Sequence, residues 1–108
     1  MNLSSEIFGD VIVVHAPEEL GDDQSDKFEG FLTSLDLNRV IVDLDTVELL
    51  DSAGLESLLN AQDQLRSNSG DLKVIANNHV NRKILEVTRL DDQLEVFDSV
   101  IDAVKSFV

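Results

Sequence analysis

VIVDLDTVELLDSAGLESLLNAQDQL, residues 40–65, decides how this chain is read. Its first five residues, Val40 to Leu44, form a short β-branched run, the pattern of a strand buried in the middle of a sheet. From Leu55 the apolar spacing changes. Leu55, Leu58, Leu59 and Leu65 fall on one face of a helix, and Asn68-Ser69-Gly70 supplies its stop. The residues Thr46 to Leu50 lead from the strand to DSAGL, Asp51 to Leu55. A serine at such a junction is exposed, beside the N–H groups that a helix leaves unpaired at its start. A phosphate on Ser52 would be tolerated by the fold and visible to any partner docking on that end.

Upstream, Leu3 to Phe8 is strand-like, Gly9-Asp10 fits a two-residue hairpin turn, and Val11 to Val14 returns as a second strand that Pro17 closes. Phe28, Phe31, Leu32 and Leu35 recur at i, i+3, i+4 and i+7, which predicts a helix from about Asp22 to Leu35. Asp22 and Asp23 then lie at its start, where acids suit the dipole. Downstream, Leu72 to Ala76 reads as a strand, and Val80, Ile84, Leu85 and Thr88 mark a third helix. Leu94 to Phe97 reads as a short strand. Ser99-x-x-Asp102 resembles a capping box for a last helix buried through Val100, Val104 and Phe107.

The order β-β-α-β-α-β-α-β-α predicts an α/β fold. One domain over residues 1–108 is expected, with a mostly parallel four- to five-stranded sheet, an N-terminal antiparallel hairpin and about four helices. Ligand and partner sites in such sheets favour the carboxyl ends of the strands. DSAGL sits at one of them.

Hydrophobic residues make up 43% of the chain, enough for a core and against disorder. There is no cysteine, which excludes a disulfide framework, a thiolate metal site and a thiol nucleophile. Net charge is −14, and residues 1–54 hold 13 acids against two bases, whereas residues 55–108 hold nine against six. Such a surface repels phosphate backbones and anionic lipid, so no direct nucleic-acid contact is expected. A protein partner with a basic docking face fits better, with plain solubility as the other explanation of the acids. The opening residues lack a basic region followed by an apolar stretch, and no apolar run approaches membrane-spanning length. Membrane insertion is therefore not expected, and a cytoplasmic location is.

Around Ser52, either Asp51 or Ser52 could cap the helix. A reciprocal capping box fails, because Leu55 stands where Glu or Gln would be needed. Gly54 is unusual in a first helical turn, and it makes sense if the backbone turns sharply or another segment approaches closely. Ser57, one turn on, is a secondary acceptor candidate. Asp43 and Asp45 share a strand face, but with no third ligand at sensible spacing they read as solvated or capping residues. His15 and His79 lack metal-site context, and Asn77-Asn78 reads as turn chemistry. The hydrolase elbow Gly-x-Ser-x-Gly lacks its first glycine, and no phosphate-cradling glycine loop is present. Neither catalytic residues nor a cofactor are expected.

Residues 40–65 as a whole resemble the core signature of STAS domains, the anti-sigma factor antagonist family. There a hydrophobic–Asp–hydrophobic strand leads to Asp-Ser-Ser-Gly-Leu or Asp-Ser-Ala-Gly-Leu and a leucine-rich helix. GDVIVVHAPEEL and GDLKVIANNHVNRKILEVTRLDDQLEVFDSVIDAV extend the resemblance over nearly the whole chain. It implies that Ser52 is the phosphorylated serine and that Asp51, Ser52, Ala53, Gly54 and Leu55 belong to the partner-binding motif. Ala53 replaces a frequent second serine. In the opening loop, Glu18-Glu19-Leu20-Gly21 stands where Gly-Glu-Leu-Asp is common, so Gly21 replaces an aspartate bordering the partner surface and Asp22 follows one position later.

The resemblance implies partner switching in transcription regulation. The unmodified domain would bind a serine-kinase anti-sigma factor, phosphorylation of Ser52 would block binding, and a metal-dependent serine phosphatase would restore it. The alternative is a non-phosphorylated STAS scaffold or transporter accessory subunit. A phosphoacceptor receiver domain is disfavoured, because LEVFD supplies no lysine after the last strand.

Overall fold

The computed structural model describes residues 1–107. Strands β1 (Ser5–Phe8) and β2 (Val11–His15) form the expected hairpin, with Phe8 opposite Val11 and Gly9 in the left-handed region that a tight two-residue turn requires. After β3 (Glu19–Leu20) come α1 (Ser25–Thr33), β4 (Arg39–Asp43), β5 (Leu49–Leu50) and α2 (Ser52–Ser67). The chain ends with β6 (Asp71–Ile75), α3 (His79–Val87), a 3₁₀ turn at Leu90–Asp92, β7 (Val96–Phe97) and α4 (Val100–Lys105). The main sheet has the order β1-β2-β4-β6-β7, parallel throughout except for the β1–β2 pair. β4 is its central strand, as its β-branched run predicts.

Alternation along the strands divides the core in two. Ile12, Val14, Val40, Val42, Leu72 and Val74 face one layer with Phe28 and Leu32 of α1, Leu55, Leu58, Ala61 and Leu65 of α2, and Leu85 of α3. Val11, Val13, Ile41 and Ile75 face the opposite layer, which α4 covers with Ala103. Val100, Val104 and Phe107, expected to bury α4, are only half-buried, and Ala103 makes its tightest contact. The Ser99 hydroxyl caps this helix by accepting from the Asp102 N–H at 3.2 Å.

Three expectations change. The first helix begins at Ser25, because Gly21 to Gln24 form a turn in which Gly21 O accepts from Gln24 N and Ser25 N. Asp26, rather than Asp22 or Asp23, is therefore the acid in its first turn. The Thr46–Leu50 approach contains a strand, β5, paired in parallel with β3. Val80 of α3 and Thr88, which follows its last residue, are exposed, and the buried residues of that helix are Asn81 and Leu85.

Candidate functional site at the start of α2

β4 ends at Asp43, and the chain turns back at Asp45–Thr46, with Val47 N donating to Leu44 O at 3.1 Å. Val47 is buried, and Glu48 N and Leu49 N both donate to Glu18 O. β5 then runs beside β3 with Leu50 opposite Leu20. This short ladder fixes where α2 begins. Asp51 is its N-cap, in extended conformation, and one carboxylate oxygen accepts from Gly54 N at 3.1 Å. Of the two candidate caps, Asp51 fills the role.

Ser52 is therefore spared structural duty. It is exposed, and its hydroxyl has no hydrogen-bond partner among the described residues. The N–H groups of Ser52 and Ala53 are likewise without acceptors there, as expected for the first turn of a helix. Ala53 is half-buried. Gly54 and Leu55 are buried, Leu55 in the core, so they shape the motif from beneath. A Cβ at Gly54 would lie 2.1 Å from the Leu20 carbonyl oxygen. The close approach anticipated at this glycine is the backbone of β3.

Gly21 also has a geometric reason. A Cβ there would sit 2.7 Å from the free carboxylate oxygen of Asp51, crowding the group that caps α2. Asp22, exposed one residue later, lines two hollows flanking the motif, each of about 230 Å³. One includes Glu19, Asp23, Leu49 and Asp51, and the other includes Asp26, Glu29, Ala53 and Glu56. Neither contains a lysine or arginine, so the charged residues lining both hollows are all acids.

Other candidates have structural tasks. Ser57 is buried and donates to Gly54 O at 2.6 Å, so it is no accessible acceptor. Asp45 lies beyond β4 rather than sharing a strand face with Asp43. Its carboxylate accepts from Asn77 N and from Asn78 N, which directs it to the start of α3. Asp43 accepts from Asp45 N at 2.9 Å and pairs with His15 Nδ1 at 2.9 Å. Asn78 caps α3. Asn81, which sequence reasoning passed over, is buried and donates to both Leu44 O and Val47 O, at 3.0 and 2.8 Å. It holds the turn that leads to Ser52. Its one sequence signal was a polar residue on the inner side of a helix.

The family model of the STAS domain matches residues 2–103. The chain belongs to the STAS domain family. Its STAS fold is shared by an anti-sigma factor antagonist from Mycobacterium paratuberculosis, with a TM-score of 0.84 and 23% identity over 97% of this chain and 92% of that one. A sulfate transporter family protein from Wolinella succinogenes is similar at 0.79 and 16% identity, over 94% of this chain and 87% of that one. The phosphorylated form of the Bacillus cell-fate determinant SpoIIAA is similar at 0.71 and 13% identity, over 99% and 100%. No curated protein sequence matches the STAS chain significantly. Among the described residues no helix is long and apolar enough to cross a membrane.

Proposed function

We propose that this STAS protein is an anti-sigma factor antagonist that acts by partner switching in the cytoplasm. Unmodified, it binds a serine-kinase anti-sigma factor through Asp51, Ser52 and Ala53, flanked by Gly21 and Asp22, with Gly54 and Leu55 setting the shape of the motif. Phosphorylation of Ser52 blocks binding, and a metal-dependent serine phosphatase reverses it. The chain itself has no catalytic role. The observation that carries this reading is the division of labour at the head of α2, where Asp51 caps the helix and leaves the exposed Ser52 hydroxyl free. A structural neighbour, SpoIIAA, is known in a phosphorylated form, which supports the reading.

A phosphoserine brings close to two negative charges to a surface already lined by Asp51, Asp22 and Glu19. An interface that desolvates this group loses roughly 3–4 kcal/mol, several hundred-fold in affinity. The domain is spared the same penalty, because the unpaired N–H groups and the dipole at the start of α2 favour an anion. The likeness to a transporter-family STAS structure supports a second reading, a scaffold that is never phosphorylated.

Intact-mass analysis of the protein from its own cells, with partners retained, separates the two. The switch predicts a wild-type species heavier by about 80 Da, the mass of an added phosphoryl group. Ser52→Ala should lack that species and retain the kinase partner permanently. Absence of the adduct under every growth condition, with the same partner on both proteins, would leave the scaffold.

A further inference from the structure

The outward face of α3 carries an apolar row in which Ile84 packs partly against the core while Val80 and Val87 stand in solvent. Val80, Ile84 and Val87 stand at i, i+4 and i+7, while Asn81 and Leu85 point inward. Val80 is 65% exposed and Val87 71%. Valine is a weaker helix former than alanine by roughly 0.5 kcal/mol, and neither valine gains burial in return. A contiguous apolar row also differs from the scattered exposed hydrophobics of an ordinary surface. Together with His79, Lys83 and Thr88 it lines a groove of about 420 Å³.

The charge here runs against the rest of the molecule. The chain has 22 carboxylates and eight lysines and arginines, yet the groove contains Lys83 and no acid. Ion pairs engage Arg39, Arg66, Lys73 and Arg82, whereas Lys27, Lys83, Arg89 and Lys105 are exposed and unpaired among the described residues; of these four, Lys83 lies on the outer side of α3 and Arg89 just beyond its end. Glu86, the one acid on α3, lies outside the groove. Cations that stay unpaired beside an apolar row, in so acidic a chain, are placed for carboxylates from outside.

We propose that the outer face of α3 is a second docking surface, which takes an acidic amphipathic segment of a protein partner. Apolar side chains of that segment cover Val80, Ile84 and Val87, and its carboxylates meet Lys83 and Arg89. A second copy of this chain is a poorer occupant. Its own α3 would bring like cations, and the acidic hollow between its α1 and α2 offers only Ala53 as an apolar residue. This surface is separate from the Ser52 reading and does not depend on it.

The test is an NMR titration of the ¹⁵N-labelled full chain with two synthetic helical peptides that share one leucine-rich face, one flanked by glutamates and the other by lysines. The glutamate peptide should shift α3 amides saturably and, read at those amides alone, bind about tenfold or more tightly than the lysine peptide, which the net charge of −14 draws to the acidic faces instead. Lys83→Glu, at an exposed position that leaves the fold intact, should reduce or reverse that preference. Ser52→Glu should leave it unchanged, which keeps this result distinct from the fate of the phosphorylation reading. Equal binding of both peptides, binding of neither, or shifts confined to the Ser52 surface would overturn the proposal. So would a concentration-dependent dimer of the free chain that Val80→Gln dissolves, because a second copy would then occupy the face.

Discussion

A methyl group on Gly54 has nowhere to go, because the atom it meets at 2.1 Å is a backbone carbonyl oxygen, Leu20 O, rather than the flexible end of a side chain. Gly30, inside α1, is the natural comparison, since a Cβ there meets nothing within 4 Å. Replacing glycine by alanine within a helix is intrinsically favourable by about 1 kcal/mol, and overpacking typically costs about 1–3 kcal/mol or more. Gly30→Ala should therefore raise stability by up to about 1 kcal/mol, whereas Gly54→Ala should lower it by about 2 kcal/mol, read as opposite shifts in urea midpoint. Equal shifts of the same sign would mean that β3 does not hold α2 at this distance. The sequence signalled this contact only in part. Gly54 in a first helical turn announced a close approach, but the approaching atom lies 34 positions earlier in the chain and comes near only through a strand pair too short to show periodicity.

Elements of clear period were legible and elements of two residues were not. β2, β4 and β6 are buried runs, and α2 repeats its leucines over a 16-residue helix, so pattern alone located them. β3 and β5 carry no pattern of their own, and they exist because Glu18 O and Leu20 O accept from the segment before α2. α3 misled in a different way. Its apolar residues occupy two faces, so the exposed Val80 counted toward a core that Asn81 and Leu85 occupy instead. Asn81 is what ties this helix to the Leu44–Val47 turn. Asn81→Ala leaves Val47 O without its donor and Leu44 O with only the Val47 N–H, and a loss of roughly 2–3 kcal/mol is expected, against roughly 1 kcal/mol for Asn78→Ala, which removes only a cap. Equal losses in chemical denaturation would show that the two Asn81 hydrogen bonds add nothing beyond a cap.

Across the whole molecule, the edge strand β1 and the central strand β4 are joined by one imidazole. His15 Nε2 lies 3.1 Å from Glu6 on β1, and Nδ1 lies 2.9 Å from Asp43 at the end of β4, while Asp43 also accepts from Asp45 N. The hydrogen bond to Glu6 is the leading cause that raises the His15 pKa above 6.5; burial opposes it and the Asp43 charge and hydrogen bond add to it. Only the imidazolium has two N–H groups, so only the protonated ring can donate to both carboxylates at once. Because the folded-state pKa is the higher one, this contribution is fully present below the unfolded value, near 6.5, and is lost as pH rises through the folded value. Stability measured by urea unfolding should show it as a difference between wild type and His15→Gln. That difference should be larger at about pH 5.5 than at about pH 8.5, a window in which ordinary carboxylates stay ionised and their repulsion is common to both proteins. Glu6→Gln should shrink the pH dependence while leaving the Asp43 contribution in place. A wild-type advantage that is flat, or that grows toward alkaline pH, would mean that the proton on His15 does not join the hairpin to the centre of the sheet.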